Sequence, residues 1–190
     1  MHMLEPPNFS SLQFYDRVVK DIFPLVYCAT DHEARCLGIF LRALFEPLKR
    51  WRLDKSQYEK EAASKLGFSV AIGSPARCSY DQYCTVFSKW HDKITKIIIH
   101  CLDKYGNHGR ACLLVLIKLV GVYPARKRTS ITLMEKLDPL KQQEKYKDVQ
   151  AMAYRYYTLL DKHNFSLEED FSRSVQTSSC KRQMTATKSR

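Results

Sequence analysis

Three short runs in this 190-residue chain bring ionisable side chains close enough together to suggest acid–base chemistry: Asp31-His32-Glu33, Trp90-His91-Asp92 and Glu168-Glu169-Asp170. A carboxylate beside an imidazole can move a proton, and converging carboxylates can divide the roles of acid and base. A fourth set, His100, Cys101, His108 and Cys112, carries the donor atoms of a zinc site. Each set has a plainer reading. Asp31 and Glu33 fall in the first turn of a helix, where acids favour the positive end of the helix dipole. Trp90 belongs to an apolar stripe, which predicts that His91 and Asp92 face away from the core. The 168–170 run reads as a solvated helix end. These four residues match no zinc spacing and read as core packing. There is no G-x-x-x-x-G-K-[ST], no G-x-S-x-G and no H-E-x-x-H, so the chain is expected to be no enzyme and to hold no metal or cofactor.

Charge points elsewhere. Thirty-one Lys and Arg against 20 Asp and Glu give a formal charge of +11. The bases are unevenly spread: Lys104, Arg110, Lys118, Arg126, Lys127 and Arg128 lie in a stretch, Lys104 to Met134, that holds no acid. Arg173, Lys181, Arg182, Lys188 and Arg190 lie in an acid-free end. Such asymmetry suits an anionic partner, nucleic acid first, and it also suits an ordinary solvated surface. The candidate phosphate contacts are Lys118, Arg126, Lys127, Arg128, Arg173, Lys181 and Arg182. No aromatic platform for reading bases lies among them, so they would give affinity without sequence preference. The cysteines at 28, 36, 78, 84, 101, 112 and 180 form no C-x-x-C pair and sit mostly among apolar neighbours, as small buried residues do in a reducing compartment.

The elements that would hold these residues all read as helices. Phe14, Val18, Ile22 and Val26 mark an N-terminal helix that Pro24 must kink or break. Thr30 with Glu33 forms a capping box, and Leu37, Leu41, Leu44, Leu48 and Trp51 follow as one stripe, with a bend expected at Pro47. Asp54 and Gln57 suit another helix start, for a polar helix ending at Gly67. Residues 67–79 read as the main loop. Ser79 and Gln82 then open a helix with Tyr83, Val86, Trp90, Ile94, Ile97 and Cys101 on one face, running to Gly106. Asn107 starts a helix that is apolar nearly all round and ends at Tyr123-Pro124. A basic turn, Ala-Arg-Lys-Arg, precedes a helix capped by Thr132 and Glu135, and a last helix spans Val149 to Leu160. The expected core contact sets Trp90, Ile94 and Ile97 against Leu113, Leu116 and Val120.

No segment alternates with period two, so the chain is expected to be all-α: an irregular α-solenoid of helix pairs, of the armadillo or HEAT kind, or a helical bundle. The helical domain is placed at residues 9–171, with a disordered basic tail over 172–190. Ala111 to Tyr123, the longest apolar run, is interrupted by Lys118 and is too short for the ~20 residues of a spanning helix. The opening MHMLEPPNF has no basic start followed by an apolar stretch, so no secretory signal is expected. Phe9, Phe14 and Val18 are expected to be exposed at the start of the domain and to promote self-association.

Three collinear blocks resemble one known family. Phe23 to Trp51 contains Phe23, Pro24, Val26, Tyr27, Ala29 and Thr30, then Glu33, Ala34 and Arg35, and closes with Glu46, Pro47, Leu48, Lys49, Arg50 and Trp51. This is similar to the F-P-(I/L)-V-Y-x-A-T, E-A-R and E-P-L-K-R-W strings of the THO complex subunit 2 family. Tyr80 through Lys89, Trp90, His91, Lys93, Ile94, Thr95 and Lys96 resembles its K-W-H-x-K-I-T-K signature. Ala111 to Pro124 resembles its apolar helix ending in Tyr-Pro, with a fainter match over Asp148 to Tyr156. The blocks cover roughly residues 14–160 and resemble a C-terminal portion of the family's helical region, with a shorter tail.

The resemblance implies a helical-repeat scaffold of the nuclear THO/TREX assembly, which couples transcription to mRNA processing and export. It implies other THO and TREX subunits as partners, a DEAD-box RNA helicase reached through them, and a C-terminal region associated with nucleic acid. The alternative is a stand-alone basic RNA- or DNA-binding helical module. The two separate on salt, since counterion release makes phosphate-dominated affinity fall steeply with ionic strength.

Overall fold

Ser10 opens the first helix by accepting the Gln13 amide at 3.3 Å, and α1 (Ser11–Arg17) follows. The computed structural model describes residues 9–69, 76–103, 107–142 and 147–163. The basic end with Arg173, Lys181 and Arg182, the proposed tail and the Glu168-Glu169-Asp170 run lie outside them.

Pro24 decides how α1 ends. It has no N–H to offer, and its ring crowds the carbonyl four residues back. The chain responds by widening into a π-helical stretch, Val18–Ile22, in which the Phe23 amide reaches back to the Val18 carbonyl. A 3-10 stretch, Phe23–Tyr27, then turns it onto the core. This reversal buries Val18, Val19 and Phe23 against the rest of the fold. Val18 therefore does not belong to an exposed N-terminal surface, contrary to expectation, while Phe9 and Phe14 are half-buried.

The long helix α2 (Asp31–Leu53) begins at the expected capping box: Thr30 Oγ1 accepts the Glu33 amide, and Glu33 takes the Thr30 amide at 2.8 Å. It runs through Pro47 without interruption. Asp54 caps the short α3 (Lys55–Tyr58) by accepting the amides of Ser56 and Gln57. A π-helical stretch, Glu59–Ala63, and a 3-10 turn, Leu66–Phe68, complete this arm. Its inner side is aromatic: Tyr58 stacks on Tyr83 at 4.7 Å, and Phe68 meets the Trp51 ring edge-on. An isolated antiparallel bridge joins Ser69 to Arg77, and every regular element among the described residues is a helix.

Ser79 and Gln82 cap α4 (Tyr80–Asp103) reciprocally, as their spacing predicts. α5 (Asn107–Leu119) packs against α2, α4 and α7, which accounts for its nearly all-round apolar surface. Gly121, at φ 94°, takes the left-handed conformation that ends this helix. The basic segment that follows is not a turn. Arg126 is extended, and α6 (Lys127–Lys141) starts immediately after it, so Thr132 lies inside the helix and bonds the Arg128 carbonyl instead of capping. α7 (Lys147–His163) packs on α5 and α6.

The chain is all-α. Trp90 is buried as expected, and it also reaches α1: its Nε1 donates to Asp16 at 3.1 Å and its ring lies 6.1 Å from that of Tyr15. His91 departs from expectation. It is 4% exposed, between Phe87 and Tyr123, because α4 is covered from two sides and its buried arc is wider than one stripe.

Candidate functional site

Most of the side chains that carry the family resemblance serve to join helices. Lys49 donates to the Gly121 carbonyl at 2.6 Å, and Arg42 reaches the Lys118 carbonyl at 3.4 Å. Both place a cation of α2 at the C-terminal end of α5, where the helix dipole favours it. Arg50 and Trp51 both donate to one Glu61 oxygen at 2.8 Å, tying α2 to the stretch after α3. Tyr27 donates to the Ile97 carbonyl at 3.3 Å, and Pro24 reshapes the turn that brings Tyr27 there. Glu46 is exposed and Pro47 lines a small apolar cavity.

On α4, Trp90 and His91 point inward while Lys89, Lys93 and Lys96 are exposed. Burial, with Arg126 and Arg52 nearby, depresses the His91 imidazole to about 3, so it is neutral at physiological pH. Burial opposes ionisation of Asp16, but hydrogen bonds from Lys20 and Trp90 keep its carboxyl below the usual range. A Thr95–Tyr123 hydroxyl pair at 2.7 Å closes the other flank of His91.

The candidate phosphate contacts are placed unevenly. Lys118, near the end of α5, is half-buried against α2. A Cβ built on Gly38 would stand 2.8 Å from the Lys118 Cβ and 3.2 Å from the Val115 Cα, so glycine is what allows α2 and α5 to approach this closely. The Arg126 side chain is 24% exposed, pairs with Asp92 and reaches the Ser88 carbonyl. Lys127 and Arg128 project into solvent from the first turn of α6, with no ion pair to a described residue. The Arg126–Asp92 pair sets that turn beside α4. Lys89 and Lys96 stand one turn either side of Asp92 on α4 and are exposed, as Lys127 and Arg128 are at the start of α6. The two α4 lysines were not among the sequence-based phosphate candidates. The signal was their spacing of seven residues on the polar side of a helix whose other side is apolar.

The other reactive-looking sets have structural partners. Arg110 grips Asp31 in a bidentate bridge with contacts of 2.6–2.9 Å and also pairs with Asp148, fastening the starts of α2 and α7 to α5. The Arg110 hydrogen bond holds the Asp31 carboxyl below its ordinary range. Cys101 and Cys112 are buried, His100 packs against the Tyr27 ring, and the His108 side chain lies outside the described residues. Among the described residues, no three His, Cys, Asp or Glu side chains converge, and no helix is long and apolar enough to cross a membrane.

The Arg110 clamp and the tyrosine hydroxyls bonded to main-chain carbonyls escaped sequence reasoning. Tyr83 to Leu48 at 2.6 Å and Tyr80 to Arg52 at 2.7 Å join residues far apart in the chain that carry no local pattern.

A family profile described as transcription factor/nuclear export subunit protein 2 matches residues 1–160. THO complex subunit 2 of Rhinolophus ferrumequinum is 36% identical over 169 residues, covering 83% of this chain and 11% of that protein. The Mus musculus protein of that name is 36% identical over 168 residues, covering 82% and 10%. Its Arabidopsis thaliana counterpart is 31% identical over 181 residues, covering 90% and 10%. No solved structure matches the chain. The chain spans about a tenth of the length of these relatives, and it belongs to the THO complex subunit 2 family.

Proposed function

We propose that the chain acts as a non-enzymatic helical scaffold segment of a THO/TREX assembly in the nucleus, coupling transcription to mRNA processing and export. Its direct partners are other THO or TREX subunits, and a DEAD-box RNA helicase is reached through them. One observation carries this reading: the side chains that make the chain resemble its family, Tyr27, Lys49, Arg50, Trp51 and Trp90, join helices to one another instead of converging on a cleft. Such a body presents surfaces and performs no chemistry of its own. Over-expressing the chain beside a full-length relative tests the idea. The segment should compete for the same subunits and retain polyadenylated RNA in the nucleus. An unchanged RNA distribution, with the chain present in the nucleus, counts against it.

A second reading has its own support. Lys127 and Arg128 are exposed, as are Lys89 and Lys96 on α4; together they would form a basic surface that the residues Arg173, Lys181 and Arg182 would extend, with Lys118 and Arg126 contributing from its edge. It would hold RNA through phosphates without reading sequence. Changing Lys127 and Arg128 to Ala should weaken binding to single-stranded RNA and flatten its dependence on salt. An unchanged affinity and slope would leave the surface as solvated charge alone.

A further inference from the structure

Helix α2 has two apolar lines, and the fold covers one of them fully. Ala34, Leu41, Phe45, Leu48 and Trp51 enter the core. Cys36, Phe40, Ala43 and Pro47 follow each other at steps of four, three and four. That spacing aligns side chains along a helix as in a helix–helix seam. At 100° per residue the second line is turned from the first by roughly a third of a revolution, too far to share its partners. At the Pro47 end the line runs beside the start of the chain's first helix: Phe9, Phe14 and Tyr15 line a cavity of about 210 Å³ together with Ala43, Leu44 and Pro47. Towards the start of α2 the cover stops. Phe40 is 42% exposed, its neighbour Ile39 58%, and Cys36 is exposed as well.

We propose that this line on α2 is a docking seam for an amphipathic helix from another subunit of the THO complex. The seam runs into a place the fold already uses for helix–helix approach, since α1 and α2 line one apolar cavity at its far half, and a helix entering from the open end would continue that line. The spacing selects a helix. The α2 backbone offers no free edge to an extended segment, and its apolar residues come every three or four positions, the pattern of helix-in-groove recognition. Charge constrains the occupant too. On the Ile39 side the open half of the seam is bordered by Arg35 and Arg42, while Asp31, one turn before Arg35, is taken up by Arg110, so the arriving helix should carry carboxylates there and apolar residues at i, i+3 or i+4, and i+7. The proposal rests on the reading of the chain as a THO subunit segment and adds to it the face and the kind of element that meets it.

The test uses the full 190-residue chain and the other THO subunits, each purified. Ile39→Asp with Phe40→Asp alters exposed and half-exposed positions of a long helix, so the circular dichroism spectrum should be kept and the melting temperature should fall only slightly. The wild-type chain should bind at least one subunit, and the double variant should bind it about tenfold or more weakly, as expected on losing an aromatic anchor from an interface. Tyr154→Asp, at an exposed apolar residue on α7, serves as control and should leave binding unchanged. A photo-reactive phenylalanine at position 40 should crosslink to a subunit segment with the stated apolar and acidic pattern. Equal binding by the double variant overturns the seam and leaves the proposed function standing. Crosslinks to a second copy of this chain, or to RNA, also overturn it. A wild-type chain that binds none of the subunits overturns the proposed function, and the seam with it.

Discussion

Lowering the pH from 7 to 5 should destabilise the fold through one side chain, His91. The imidazole lies with its ring 4.2 Å from that of Phe87 and 5.4 Å from that of Tyr123. Burial and the charges of Arg126 and Arg52 depress it to about 3, against 6.5 for a free histidine. The unfolded chain therefore takes up a proton near pH 6.5 that the folded chain refuses, so stability is complete above that value and falls with acidification until the folded group titrates near pH 3. Each unit of separation is worth about 1.4 kcal/mol, so the loss between pH 7 and pH 5 is about 2 kcal/mol from this residue alone. The carboxylates held below their usual range, Asp16, Asp31 and Glu33, lose their contribution at lower pH, near the ordinary carboxylate pKa of about 4. Urea unfolding at several pH values, for wild type and His91→Phe, isolates the effect. The phenyl ring keeps the aromatic stack but cannot bind a proton, so the wild type should lose about 2 kcal/mol more than the variant over this range. Parallel pH profiles, or an imidazole resonance of folded His91 titrating near 6.5, would refute the reasoning.

Three further outcomes follow from the packing. Gly38→Leu should cost about 1–3 kcal/mol by overpacking against Lys118 and Val115, whereas Gly38→Ala should cost less, because alanine favours a helix by about 1 kcal/mol over glycine; thermal denaturation ranks the two. Trp90→Ala should destabilise by about 3–5 kcal/mol, the range for deleting a large buried aromatic, as read from the urea midpoint. Arg110→Ala should cost up to about 1 kcal/mol, more at low salt than at high, because its pairs with Asp31 and Asp148 are partly exposed.

The helices themselves were legible because their signals are local. Thr30 and Glu33, or Ser79 and Gln82, lie three residues apart and bond as their spacing predicts. The apolar stripes of α2 and α4 repeat every turn. What was not legible depends on where helices meet. His91 was placed outside because one stripe of α4 was visible, while its second covering surface is supplied by Tyr123, 32 positions later in the sequence. The start of α6 was placed at Thr132 because Thr and Glu form a familiar cap. The helix starts at Lys127 with no side-chain cap at all, despite the disfavoured placement of cations at a positive dipole end. The candidate surface was half legible: Lys127 and Arg128 are exposed, but Lys118 and Arg126 were drawn into contacts with Gly38 and Asp92 that no run of neighbouring residues announces.

The central claim, that this chain serves as a segment held within a THO assembly, is tested most directly by purifying the tagged chain from nuclear extract with and without nuclease. The account predicts that other THO subunits are recovered equally in both cases, because protein surfaces hold them. Recovery that vanishes with nuclease, or a chain that brings down no THO subunit at all, would contradict it.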